Sequence, residues 1–348
     1  MNALEHELHY EFGEHLPAGG VKFEVAPGIF WVRMPLPFAL DHINLWLVRE
    51  ENSWTLIDCG ISSDQIKALW EVIFTNHLEG LPISRILCTH MHPDHIGLSG
   101  WIQDKYPDAR LWMTMGEYSF GRVLSAVMPG ANGSSSADHF RRHGMTDETM
   151  LAAIRARNNN YFSSLVPSMP LRFHRIRGDE FIAMGGRQWR VIIGTGHSPE
   201  HAALYCEKDK LLISGDMVLP RISTNVSVFD IEPESNPVTW YVNSLKAYQD
   251  CAADSLVFPS HGRPFRNLHV RIKQLTDHHE DRLRVVLEAC KKAPQSAADI
   301  VPVMFSRKFD THQMTFALGE SLAHLHALMY NGDVKSSERA DGVVVFSA

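Results

Sequence analysis

The stretch Ile86-Leu87-Cys88-Thr89-His90-Met91-His92-Pro93-Asp94-His95 sets four potential metal ligands within six residues, directly after a short apolar run. An aliphatic run followed by a polar turn predicts a buried strand that opens into a loop. In extended backbone, alternate side chains share a face, so His90 and His92 point the same way and can chelate one ion. Pro93 then turns the chain and redirects Asp94 and His95 toward another position. A single His-x-His is as readily a polar loop as a ligand pair. The full pattern points to metal, because imidazole is the commonest metal ligand among side chains.

Three further residues stand in the same local setting. His197 follows Val191-Ile192-Ile193-Gly194-Thr195-Gly196, Asp216 follows Leu211-Leu212-Ile213-Ser214-Gly215, and His261 follows Leu256-Val257-Phe258-Pro259-Ser260. Each is a strand-like run, a small-residue turn and then a donor. Loops on strand ends converge on one edge of a sheet even when their residues are far apart in the chain. Singly, His197 or His261 reads as an ordinary core or surface histidine; beside the first loop they complete a set.

Around these loops the pattern is mixed α and β. Apolar runs at 29–32, 43–48, 54–57 and 86–88 read as strands, and Ile66, Leu69, Trp70 and Ile73 recur at the steps of an amphipathic helix over 63–76. From 116 to 170 the chain turns helical around Pro129-Gly130-Ala131-Asn132-Gly133-Ser134-Ser135-Ser136, a loop by composition, and this segment reads as an insertion. Strand patterns resume at 189–193, 203–206, 211–213 and 256–258. After Arg266 helices dominate. Leu318, Leu322, Leu325 and Leu328 mark one face of a last helix that stops at Asn331-Gly332, and Ala340-Asp341-Gly342 turns a terminal hairpin. Helices followed by a hairpin predict a small winged-helix-like unit.

The length of 348 residues suggests about two domains and leaves room for a sizeable core. With 45% hydrophobic and 21% charged residues the mix is globular, and a net charge of -7 gives no general attraction to nucleic acid or an anionic membrane. Residues 1–20 carry acids and histidines without an apolar run, so neither a signal peptide nor a membrane helix is read there and a cytoplasmic location is expected. Five cysteines occur without a C-x-x-C pair and are expected as reduced, buried hydrophobes. The strongest bias is the presence of 20 histidines.

In this order, His90, His92, Asp94, His95, His197, Asp216 and His261 resemble the motifs of the metallo-β-lactamase superfamily over residues 21–266. The resemblance implies an α/β fold, an αββα sandwich with the site at one edge, here carrying the 116–170 helical insertion and followed by the winged-helix-like unit over 269–348. It implies His90, His92 and His197 on a first metal, Asp94, His95 and His261 on a second, and Asp216 as a bridge. Asp58, in Leu56-Ile57-Asp58-Cys59-Gly60, matches the family's aspartate at the end of an early strand, where it orients site groups. The implied chemistry is hydrolysis by a hydroxide bridging two divalent ions, with Asp94 or Asp216 holding or relaying the proton. Nitrogen and oxygen donors without thiolate suit Zn2+ and accommodate Mn2+ or iron.

Secreted antibiotic-destroying members of this family carry a signal peptide and commonly a cysteine in the second site. The donor set here is similar instead to glyoxalase II type thioesterases, lactonases and the phosphodiester-cleaving branch. A small thioester, ester or lactone is the expected substrate. The tail also resembles that of a subgroup including an endoribonuclease. However, ten Lys and Arg between Arg271 and Arg339 face ten Asp and Glu between Asp277 and Asp341, so nucleic acid ranks second. Single-iron persulfide dioxygenases share part of the histidine pattern but not the full second set. Met113, Met115, Tyr118, Phe120, Met128, Tyr161 and Phe162 read either as the lining of a cap over the metals or as helix core and a homodimer contact. His278 and His279, beside Asp277, Glu280 and Asp281, read as a solvated helix face; His201 supports the site or the fold.

Overall fold

Short strands that are apolar on both faces need cover on both sides. In the computed structural model, which describes residues 3–126, 133–156 and 160–348, two facing sheets with helices outside each supply that cover. The first sheet holds β1 (Lys22–Ala26), β2 (Ile29–Pro35), β3 (His42–Arg49), β4 (Trp54–Ile57), β5 (Ile83–Leu87), β6 (Arg110–Met113) and β7 (Phe173–Arg175) in that order. Strands β1 to β4 pair antiparallel, while β4 to β7 run parallel. Helix α1 (Asp64–Asn76) joins β4 to β5, and α2 (Pro93–Ile96) and α3 (Ser99–Lys105) lie between β5 and β6. The insertion contains α4 (Met115–Ser125), α5 (Gly133–Arg142), α6 (Glu148–Ala156) and α7 (Asn160–Leu165). Residues 129–132 of the expected loop lie outside the described residues, whereas Gly133 to Ser136 form the first turn of α5 rather than a loop.

The second sheet is built from β8 (Phe181–Met184), β9 (Arg187–Gly194), β10 (His201–Cys206), β11 (Leu211–Gly215) and β12 (Leu256–Pro259), ordered β12-β11-β10-β9-β8. Only β11 and β12 pair in parallel, with α8 (Pro237–Leu245) between them in the chain. Then come α9 (Leu268–Lys292), α10 (Ala297–Met304), α11 (Thr311–Asn331) and a hairpin of β13 (Lys335–Glu338) and β14 (Val344–Ser347). Gly332, at φ 85°, ends α11 as a left-handed cap that glycine adopts without strain.

Period-two alternation divides the core. On β10, Ala202 and Leu204 face the space between the sheets, where they join Trp46, Trp189, Ile213 and Phe258. Their neighbours Ala203 and Tyr205 face outward, against helices. Outside the first sheet, Leu56 and Ile86 pack on Ile66, Trp70 and Ile73 of α1, whose start is capped by the Ser63 hydroxyl accepting the Ile66 N–H at 3.2 Å. Outside the second sheet, Leu212 and Val257 share one core with Tyr241 of α8, Leu275 of α9 and Leu318 and Leu322 of α11. The layers are therefore αββα, and the C-terminal helices are continuous with the outer layer.

That packing corrects the reading of His279. It is fully buried on α9, its Nδ1 3.2 Å from His324 Nε2 on α11, with the Tyr241 ring nearby. His278 is half-buried, while Asp277, Glu280 and Asp281 are exposed. All five cysteines are buried and free. Among the described residues no helix is long and apolar enough to cross a membrane.

Candidate metal centre

The candidate donors and Asp58 all follow the carboxyl end of a strand, Asp94 and His95 in the short helix α2. Asp58 follows β4, the 90–95 loop follows β5, His197 follows β9, Asp216 follows β11 and His261 follows β12. Gly215, at φ 53°, makes the turn into Asp216, and a Cβ there would overlap His201 Nε2, so only glycine is accommodated.

The structure brings all seven candidate donors together. His90 Nε2 lies 2.9 Å from His92 Nδ1 and 3.2 Å from His197 Nε2. His95 Nε2 lies 3.7 Å from Asp94 Oδ2, and His261 Nε2 is 3.4 Å from the same oxygen. Asp216 stands between these groups: Oδ2 is 3.4 Å from His197 Nε2, and Oδ1 is 3.5 Å from both His95 Nε2 and His261 Nε2. A tetrahedral ion with bonds of about 2.0–2.1 Å holds its donors about 3.4 Å apart, which matches these separations. His95 Nε2 and Asp216 Oδ1 are buried and have no hydrogen-bond partner among the described residues, as ligand atoms turned toward an ion would be. The His/Asp clusters thus suit metal ions.

In four of these histidines the other ring nitrogen is held by the protein. His90 Nδ1 meets the Thr89 hydroxyl at 3.0 Å, His95 Nδ1 meets Asp58 Oδ2 at 2.8 Å, His197 Nδ1 meets the Asn225 carbonyl at 2.8 Å and His261 Nδ1 meets the His42 carbonyl at 2.8 Å. Each of these partners can accept a ring N–H, which leaves each Nε2 facing the centre. Asp58, itself in left-handed backbone at φ 57°, also accepts the Thr89 N–H at 2.8 Å and the Thr89 hydroxyl at 2.9 Å. It touches no other candidate donor and acts by orienting His95 and the start of the ligand loop.

Burial and mutual repulsion hold His90 and His92 well below the ordinary histidine range. Burial works the same way on His95, but Asp58, Asp94 and Asp216 outweigh it and raise the group to about 10. Asp216 stays well below the usual carboxylate range, because His261 and His95 overcome the effect of its burial. Three carboxylates in one buried pocket call for positive charge, from protons or from cations.

Some supporting residues had no clear mark in the sequence. Glu117, fully buried on α4, accepts the Met91 N–H at 2.8 Å, the Ser198 hydroxyl at 2.6 Å and the Glu200 N–H at 2.7 Å, fastening the loops that carry His92 and His197. Asn44, a polar residue inside the apolar β3, donates to the Pro259 and Gly262 carbonyls at 2.8 Å each and anchors the His261 turn. His201 Nε2 accepts the Asp216 N–H at 3.1 Å, which ties it to the site.

A cavity of about 420 Å3 opens beside His92 and His197, lined also by Met91, Phe120, Phe229, Ile231 and Trp240. Of the aromatic residues considered for a cap, Phe120 reaches it. Tyr118 instead stacks on Phe173 at 3.9 Å and donates to the Pro170 carbonyl at 3.0 Å. Met128 lies outside the described residues, as does the side chain of Tyr161.

The sequence matches the family model of the metallo-beta-lactamase superfamily over residues 39–272. The chain belongs to that superfamily. Residues 283–348 of this superfamily member match a second model, the metallo-beta-lactamase-like C-terminal domain. Its fold is similar to a beta-lactamase domain protein from Burkholderia ambifaria, with a TM-score of 0.93 and 53% identity over 99% of both chains. A metallo-beta-lactamase family protein from Thermus thermophilus gives a TM-score of 0.76 at 27% identity, over 93% of this chain and 99% of that one. Among curated relatives, a probable metallo-hydrolase of Bacillus subtilis is 21% identical over 85% of this chain and 91% of its own length. An acyl-coenzyme A thioesterase of Bos taurus is 25% identical over 63% of this chain and 68% of its own.

Proposed function

We propose that the protein is a two-metal hydrolase of small thioesters, esters or lactones. The observation that carries this is the carboxylate of Asp216, one oxygen turned to His197 and the other to His95 and His261. A carboxylate so placed would serve two sets of ligands, with His90, His92 and His197 able to hold one ion and Asp94, His95 and His261 another. Divalent ions held there, zinc by the donor chemistry, would supply Lewis acidity toward a water and toward the scissile carbonyl.

The protein's own contribution is order and charge. Asp58 keeps the His95 N–H turned away from the centre, and Asn44 and Glu117 fix the flanking turns. Asp94, whose side chain is 19% exposed, is the acid best placed to take a proton and pass it to solvent. The thioesterase relative supports an acyl substrate. So does the cavity beside His92 and His197, where no lysine or arginine is found among the described lining residues to receive a phosphodiester.

The test is to load purified protein with zinc or manganese, count metal per chain, and assay thioesters, lactones, phosphodiesters and short RNA. About two ions per chain and acyl turnover are expected. One ion per chain, or cleavage of phosphodiesters alone, overturns the reading.

A further inference from the structure

The cavity beside the donors ends on large apolar side chains left open to solvent. Phe229, Ile231 and Trp240 expose 37%, 51% and 38% of their surface and lie together at one cavity. With Phe120 and Met91 they line the space that begins at His92 and His197. Among the described lining residues Glu232 is the one carboxylate, and there is no lysine or arginine. Such a surface does not receive a phosphate or a sulfate; it removes hydrocarbon from water.

The wall is also held from outside the metal site. Val228 N–H donates to the Gly319 carbonyl of α11 at 3.1 Å, the Tyr330 hydroxyl to the Glu234 carbonyl at 2.6 Å, and His326 Nδ1 to the Ser235 carbonyl at 2.9 Å. From the insertion, the Ser136 hydroxyl donates to Asp230 Oδ2 at 3.0 Å. A loop clamped on both sides keeps its apolar residues exposed instead of collapsing them onto one another, which is the preorganisation a binding surface needs.

We propose that this groove binds the hydrocarbon chain of the acyl group, with Ile231 and Trp240 setting the preferred chain length. The proposal rests on the acyl-hydrolase reading above and adds to it the class of acyl group. Both residues are partly exposed, so truncating them leaves the fold intact.

The test uses zinc-loaded protein and a series of non-hydrolysable thioethers of N-acetylcysteamine carrying ethyl, butyl, hexyl and octyl chains, titrated by calorimetry. Affinity is expected to rise about two- to fourfold per methylene, the effect of moving part or all of a CH2 out of water. In Ile231→Ala and Trp240→Ala the slope flattens while ethyl affinity and metal content stay constant. A flat series in the unaltered protein, or an unchanged slope in both variants, overturns the proposal. Thioesters of the same chain lengths, assayed in parallel, separate the two readings. Chain-dependent binding without turnover removes hydrolysis and leaves the groove. Turnover with flat binding removes the groove alone.

Discussion

The donor cluster and the groove wall share His197, yet they are held in opposite ways. Each donor stands one to eight residues beyond a strand end, in a segment held by sheet backbone and by partners such as Asp58 and Asn44. The wall at residues 227–240 is a loop and the first turn of α8, and its anchors come from α11 and the insertion. Reaction chemistry is therefore written into the sandwich, and shape selection into what packs against it. One can change without the other, as far as the Asn225 carbonyl on His197 allows.

The largest effect should come from the cluster itself. Asp216→Ala removes the oxygen facing each set, and turnover should fall by about a thousandfold or more, several kcal/mol of charge stabilisation, with metal lost from at least one set. Elemental analysis beside kinetics checks this; retained metal and rate would take Asp216 out of the site. Asp58→Asn should be milder. An amide cannot accept from both Thr89 and His95 through two equivalent oxygens, so metal affinity in a chelator competition should drop about 10- to 100-fold with the fold intact.

Gly319→Ala probes the wall from behind. Its new Cβ would stand 2.8 Å from Ser227 Cβ, so the loop must shift. An overpacking cost of about 1 kcal/mol would raise KM for long acyl substrates about fivefold at constant metal content. If metal content falls too, wall and cluster move as one body and the contrast fails. The smallest effects divide two neighbours on α4. Phe120→Ala should raise KM for apolar substrates about two- to threefold, because its ring lines the groove. Tyr118→Ala, stacked on Phe173 instead, should leave KM unchanged.

This contrast also explains what could be read from the sequence. A strand, a small-residue turn and a donor form a local unit, so the seven donors and most strands stood out within short windows. The two-sheet layering followed from the family resemblance carried by those units. Glu117 left no such trace, because its partners Met91, Ser198 and Glu200 are 26, 81 and 83 residues away. The wall residues leave no such trace for the same reason: nothing near Ile231 in the chain shows that α11 will hold it open. His279 misled because its neighbours Asp277, Glu280 and Asp281 do face solvent, while helical geometry turns His279 to the buried side.

The donors come from both sheets, the 90–95 loop from one and His197, Asp216 and His261 from the other. An ion bound among them is therefore a cross-link between the halves of the sandwich, closing a length of chain that runs from residue 95 to residue 261. Closing so long a loop restricts the unfolded chain much as a disulfide does, except that the bond is made and broken by mass action. Resistance to unfolding should then follow the free metal concentration logarithmically, and a chelator should loosen this protein as a reductant loosens a disulfide-bonded one.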